Sequence, residues 1–471
     1  MKDSKTLRLL TSLTLWEQKR LDVYLKSPFF CKNTQVQALW DLLKTYAPDF
    51  QDEALSMEVC FRHLFPAEAY SAARIRYLLT DLTQLIEGFL AYVQGEKKGV
   101  YPALLLHEAL DERGLLKERD RLGKKLQTQW TQQPPRNTQD LASRLALTEQ
   151  RFLCDPISQD TNYDLPQLIA ALDDFYVAKK LRYTAEWLNR SRQAASLEGQ
   201  LLIPALMEER LSTHGEGRLG RLYQWVLLTL AQPAEETHYH RLKAELAESL
   251  DILDQDELQH LYNFALNYCI KQLNTGKGAY RREIFELYQL LIEHKIIFQQ
   301  NQLPEAHYKN VVAIGSRLQE FSWTEKFINQ YQSFLPEEVQ ENAYRYNKAF
   351  LLLAQGAYKQ VLRLIATVEF TNLFYQLGAK TMLIKTYYEL EDFDGLHYLL
   401  GSFKVYLKRH KKISDYQRKL YLNLIRVSNL LVRYQLGEDV QAQHFEQHWA
   451  SFPNTASPDW VRQKIATLQL D

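Results

Sequence analysis

The sequence predicts an all-α protein built of antiparallel helix pairs, and three observations carry that prediction. Gly (17) and Pro (14), the residues that interrupt helices, fill only 31 of 471 positions, roughly half their usual combined share of about 12%. Apolar residues recur with the helical period almost throughout, and no turn-bounded stretch alternates with the period of two that a half-buried strand requires. Helix-start chemistry also precedes the apolar runs. Thr14-Leu15-Trp16-Glu17, for example, has the hydroxyl and carboxylate spacing that satisfies two free backbone N–H groups at once.

Taken in order, the helix opened by Thr14 must end near Lys26, because Pro28 disfavours helical geometry at Ser27. Asn33 or Thr34 can cap the next helix, which carries Val36, Leu39, Trp40 and Leu43 on one face. Between the two helices stands an adjacent Phe29-Phe30 pair. Burying one Phe side chain is worth about 1.5–3 kcal/mol, so the pair is expected to fold inward and wedge the helices apart, the alternative being an exposed aromatic patch awaiting a partner. A helix before Pro66 and a longer one from about Ser71 to Val93 follow, and QGEKKG (94–99) marks a first boundary. Beyond it come a helix pair with a turn near Gly114, a softer break at 131–140, the strongly helical 165–192, and a loop at 211–220. The expected organisation is an N-terminal helical module (1–97), a helical-hairpin region (98–250) and helical repeats ending in a capping helix (251–471).

Lys plus Arg (57) balance Asp plus Glu (57), so no net field draws the chain to nucleic acid or an anionic membrane. Cys31, Cys60, Cys154 and Cys269 lie too far apart for a redox pair or a paired-cysteine zinc site, and are expected as buried thiols in a reducing compartment. The first twenty residues break their apolar positions with charge, and no run approaches the ~20 apolar residues of a membrane span. The expected location is the cytoplasm.

Motifs that would carry chemistry fail on their requirements. Gly215, Gly217 and Gly220 form Gly-x-Gly-x-x-Gly, but the segment before them reads as helix where a dinucleotide site needs a strand. Gly276-Lys277 lacks the glycine five positions earlier, where Lys271 stands, and the following Ser or Thr of a phosphate loop. His444 and His448 lie one helical turn apart without the glutamate placement or third ligand of a zinc hydrolase. The chain is therefore expected not to be an enzyme and to hold no cofactor or metal. One charged stretch stands out: residues 404–419 hold seven Lys or Arg against one acid, with Lys404, Lys408, Arg409, Lys411 and Lys412 as the basic patch and Tyr406 and Tyr416 interleaved. A solvated loop accounts for it as well as phosphate contact does.

In the last third a repeat emerges. Trp323, Tyr358 and Phe393 recur every 35 residues, each near the start of an apolar helix, and Phe327, Val361 and Leu396 recur at 34 and 35. Residues 346–365, with Gly356 and Tyr358 at the turn and Ala349 at a small position, resemble a tetratricopeptide repeat. Gly315 fits the same small position one repeat earlier, and Ile384 departs from it one repeat later. The resemblance implies an α-solenoid that works as a protein-interaction scaffold, with Tyr346, Phe350, Leu353, Lys385 and Tyr388 lining its inner groove. It lacks the Lys/Asn set by which some members of that family clamp a terminal carboxylate. Ser27-Pro28-Phe29-Phe30, and Leu64-Phe65-Pro66 ahead of a Leu-rich helix, also resemble bacterial helical-repeat proteins of unknown function. A second resemblance, of residues 55–86 to the helical part of winged-helix domains, implies a transcriptional or nucleic-acid-associated regulator, although no β-wing follows and Arg74 and Arg76 share their helix with Asp81 and Glu87.

Overall fold

A computed structural model of the chain describes residues 4–48, 50, 55–97, 100–154, 164–190, 217–365, 373–438 and 455–468. Among the described residues there are 21 α-helices and no β-strand. The chain divides into two units, Met1–Lys179 and Lys180–Asp471.

The first unit opens with α1 (Lys5–Ser12), α2 (Leu15–Lys26), α3 (Thr34–Leu43), α4 (Met57–Leu64) and α5 (Ala72–Lys97). Thr14 caps α2 by the expected reciprocal box with Glu17, and the Asn33 side chain accepts from the Gln35 backbone N–H to start α3. The 26-residue α5 buries Ile75, Leu78, Leu82, Ile86, Phe89 and Val93 along one stripe. That stripe packs on α1, α2, α3 and α4, closing a core with Leu10, Leu21, Leu25, Leu39, Trp40 and Phe61. The helix runs through Gln94–Lys97 without a break. A smaller cluster of Leu104, Leu126 and Leu147 joins α6 (Val100–Glu112), α7 (Leu116–Gln132) and α8 (Thr138–Cys154). Gly114 turns the chain between α6 and α7 at φ +67°.

Phe29 and Phe30 do not form a buried wedge: Phe29 is 82% exposed and Phe30 37%. The link between α2 and α3 is a tight turn in which the Phe30 and Cys31 backbone N–H groups both donate to the Ser27 carbonyl. This turn points Cys31 inward and leaves the two rings outside. Phe30 stacks on Tyr24 (4.1 Å, 18°), Phe29 meets Phe30 edge-on at 4.9 Å, and Tyr24 leans on the buried Phe89 at 5.5 Å. The pair thus extends the core outward as an aromatic step.

The division between the units falls within α9 (Asp164–Arg190). In the second unit, consecutive helices pack in pairs: α10 (Arg218–Ala231) with α11 (Glu236–Ala247), α12 (Gln255–Asn274) with α13 (Tyr280–Glu293), and α14 (Glu305–Arg317) with α15 (Phe321–Tyr331). Then come α16 (Gln340–Ala354) with α17 (Tyr358–Ile365) and α18 (Leu373–Glu389) with α19 (Phe393–Arg409), followed by α20 (Asp415–Gln435) and α21 (Pro458–Leu468). α14 also packs on α16, and α16 on α18.

The turn inside these pairs is reused. After α12, α14, α16 and α18 one residue takes positive φ: Gly276, Gln319, Gly356 and Glu391. Its N–H donates three residues back and the next N–H five residues back, as in Glu391 to Tyr388 and Asp392 to Tyr387, so the last carbonyls of the helix are satisfied. Counted from this turn, the helix pairs recur at spacings that differ from the 35 residues between Trp323, Tyr358 and Phe393. The turns at 319 and 356 are 37 residues apart, those at 356 and 391 are 35 apart, and α15 runs on into two 3-10 turns, Gln332–Phe334 and Glu337–Val339. Phe321, not Trp323, is therefore the counterpart of Tyr358 and Phe393, and the buried Thr324 is that of Val361 and Leu396. Gly315 is not the counterpart of Ala349 either. It is small because a Cβ there would overlap the Thr324 hydroxyl and lie 3.3 Å from the Phe285 ring.

Candidate interaction surfaces

The five side chains expected to line a groove separate into two kinds. Tyr346 and Tyr388 are each 4% exposed and belong to the core, whereas Phe350, Leu353 and Lys385 are half-buried. Tyr346 on α16 lies against Gly378 of α18, with its ring 4.6 Å from Tyr375 and the Lys309 ammonium of α14 5.8 Å above it. Tyr388 meets Trp460 of α21 edge-on at 5.5 Å. The Trp460 indole N–H donates to Glu389 (3.0 Å), which also takes Lys464 (2.7 Å), so the last helix is fastened over Tyr388. Lys385 sits beside the same indole at 5.9 Å. Burial, reinforced by the nearby Arg317 charge, pulls its ammonium down to about 8, against the opposing pull of Asp459 and Glu389.

The basic stretch lies at the end of α19 and in the turn to α20. Lys404, Lys408, Arg409, Lys411 and Lys412 are all exposed. Arg418 is used internally: its guanidinium donates to the Leu407 and Ile413 carbonyls, both at 3.1 Å, and pairs with Asp415 at 2.6 Å. With Ser414 capping α20 through a box with Gln417 and Ile413 buried, this holds the basic turn in one shape. Tyr406 stacks on His410 (4.2 Å, 25°) and its hydroxyl bonds Gln376. Leu373, Gln376, Arg409, His410, Lys411 and Lys412 enclose a cleft of about 320 Å³.

A buried network in the second unit has no counterpart in the sequence reading. Glu257, 3% exposed, accepts from the Arg182 guanidinium at 2.9 and 3.1 Å and from the Tyr223 hydroxyl. Burial, then the Glu257 charge, pushes the Tyr223 phenol up. His260 lies alongside, its Nδ1 3.5 Å from Glu186, and burial together with Arg182 pulls its imidazole down to about 4. The Arg182, Glu257 and Tyr223 groups face one another while His260 Nε2 is buried without a hydrogen-bond partner, and the cluster reads as a structural clasp between helices.

Of the other motif residues, Gly217 caps α10 and Gly220 lies within it, Gly276 forms the turn after α12, and Gly215, His444 and His448 lie outside the described residues. Arg74 is held by Glu68 at 2.5 Å and covers the Phe65 ring at 3.8 Å. Cys31, Cys60 and Cys269 are buried thiols. Among the described residues no three His, Cys, Asp or Glu side chains converge as a metal site, and no helix is long and apolar enough to cross a membrane. The fold and its surfaces define an all-helical protein of sequentially packed helix pairs. Comparison with protein-family models, with curated proteins and with solved structures finds no match in any of the three.

Proposed function

We propose that the chain is a non-enzymatic interaction scaffold built on tetratricopeptide-like helix pairs, holding a protein or peptide on the first helices of its repeats. The observation that carries this reading is the sequential packing of helices in pairs, with α14 on α16 and α16 on α18. Stacked pairs of this kind share their apolar faces with neighbours and offer a continuous first-helix surface. On that surface Phe350, Leu353 and Lys385 keep solvent access, while Tyr346 and Tyr388 supply the packing beneath. An aromatic anchor at an interface contributes about 2 kcal/mol or more, which makes Phe350 the residue to remove.

The test is affinity capture by the intact chain from its native host, repeated with Phe350→Ala/Leu353→Ala shown by circular dichroism to be folded. A protein partner held in fixed ratio by the parent and lost from the variant is the expected result. Equal recovery by both would overturn the surface assignment. Recovery of nucleic acid alone, released by salt, would replace the scaffold with the regulator reading.

A further inference from the structure

Three cations from three helices of the second unit gather where none of them has a carboxylate of its own. Arg281 stands in the first turn of α13, Arg317 ends α14, and Lys385 lies on α18. The Nε of Arg281 is sealed from solvent and meets no hydrogen-bond acceptor, a state that a buried charged group seldom keeps without a ligand. The two acids whose charge reaches Lys385 are engaged elsewhere: Asp459 lies 3.7 Å from Arg462, and Glu389 accepts from the Trp460 indole at 3.0 Å and from Lys464 at 2.7 Å. The three cations act on one another instead. Arg281 opposes the charge of Arg317, and Arg317 opposes that of Lys385, which makes Arg317 the middle member. Arg317 is reached by solvent, yet the protein around it pulls its guanidinium down against the attraction of Asp459. A side chain that is both wetted and crowded lines a concave wall. Lys385, half-buried, forms the deeper part, with its ammonium 5.9 Å from the Trp460 ring that Glu389 holds in place. Packing alone does not require this arrangement, because like charges brought together out of water raise the cost of one another's burial.

We infer that Arg281, Arg317 and Lys385 form a binding site for a phosphoryl group, a phosphate monoester carried by a small molecule or by a side chain of a partner. Such a group bears about 1.5–2 negative charges at neutral pH and three strong acceptor oxygens, which suits three cations arriving from three helices. Guanidinium groups add paired donors in a plane, the geometry that phosphate oxygens accept best. A lone carboxylate is a poorer match. Asp459 already supplies one nearby negative charge and leaves the cluster cationic. The site borders the first-helix surface, since Lys385 belongs to both, but it does not depend on Phe350 or Leu353.

The test is titration calorimetry of the full chain with inorganic phosphate, against acetate at the same ionic strength. One phosphate per chain, with no saturable heat from acetate, is the expected result. Arg317→Gln/Lys385→Gln should weaken phosphate binding by roughly tenfold or more, since a hydrogen bond to a charged group is worth about that factor. Lys359→Gln/Arg363→Gln, removing exposed cations from α17, should leave it unchanged. Phosphate should raise the thermal midpoint of the parent and not that of the double variant. Arg317→Gln alone, at the member reached by solvent, keeps the measurement readable if the double variant fails to fold. O-phosphoserine and a pentapeptide with phosphoserine at its centre separate the two sources: a peptide bound about tenfold more tightly assigns a partner's side chain, and one bound no more tightly assigns a small ester. No saturable heat from phosphate, acetate binding as phosphate does, or undiminished binding after Arg317→Gln would each overturn the inference. Phe350→Ala/Leu353→Ala should take phosphate as the parent does, so failure here and failure of the first-helix surface are told apart.

Discussion

Gly378 is the position at which the packing of the second unit can be tested most sharply. A Cβ at Gly378 of α18 would overlap the Tyr346 hydroxyl and stand 2.9 Å from Cζ and 3.1 Å from Cε2 of that ring, where ordinary contact begins near 3.4 Å. The ring has little room to retreat, being 4% exposed with Tyr375 at 4.6 Å. Overpacking of this kind costs about 1–3 kcal/mol, and contact with the hydroxyl oxygen and two ring carbons at once puts Gly378→Ala at the upper end. Alanine returns about 1 kcal/mol of helix propensity, leaving a net loss of about 2 kcal/mol. Gly401 on α19, with nothing within 4 Å of its virtual Cβ, is the matched control: Gly401→Ala should gain about 1 kcal/mol. Urea denaturation of both variants, followed by circular dichroism, reads the difference directly. Adding Tyr346→Phe removes the hydroxyl but leaves Cζ, so the double variant should recover part of the loss and show non-additivity. Stabilisation of Gly378→Ala equal to that of Gly401→Ala would refute the packing of α16 on α18 described above.

Gln319 and Glu391 adopt φ +62° and +58° at turns where Gly276 and Gly356 stand in the equivalent places. The left-handed conformation costs a non-glycine residue about 1–2 kcal/mol and the added freedom of glycine takes back about 0.5–1, so Gln319→Gly and Glu391→Gly should each stabilise by about 0.5–1 kcal/mol in the same urea assay. A loss in both would show that their side chains hold the turn. His260, with its imidazole pulled down to about 4, binds its proton later than the unfolded chain does as pH falls. Stability should therefore drop between about pH 6.5 and 4, by about 3 kcal/mol at most, and His260→Phe should flatten that slope in denaturation curves recorded across the range. Phe29→Ala should change stability by less than about 0.5 kcal/mol and Phe30→Ala by about 1, the value of its stack on Tyr24. A cost of about 3 kcal/mol for either would restore the buried wedge.

The helices are legible in the sequence because their determinants are local: Thr14 with Glu17, Asn33 before Thr34, and the stripe of Val36, Leu39, Trp40 and Leu43 all act within a turn or two of themselves. What escapes is decided by residues far along the chain. Tyr346 and Tyr388 sit on helices of mixed polarity, and it is Gly378 opposite one and Trp460 over the other that close them from solvent. Glu257, three residues after the capping Asp254, has the spacing of an ordinary helix start, while its guanidinium partner Arg182 lies 75 residues earlier. The spacing of the helix pairs is misread for a related reason. Where two hydrogen bonds hold the left-handed turn, Gln319 and Glu391 serve without glycine, so a count based on glycines and aromatics finds the turn at Gly356 and misplaces the one before it. Phe29 and Phe30 show the limit of hydrophobicity as a guide, because the backbone of the turn selected Cys31 to face inward. Charge is more transparent than any of these. A run of cations with one acid among them stays in water in any fold that avoids burying unpaired charge, which is why Lys404, Lys408, Arg409, Lys411 and Lys412 are exposed as their sequence requires.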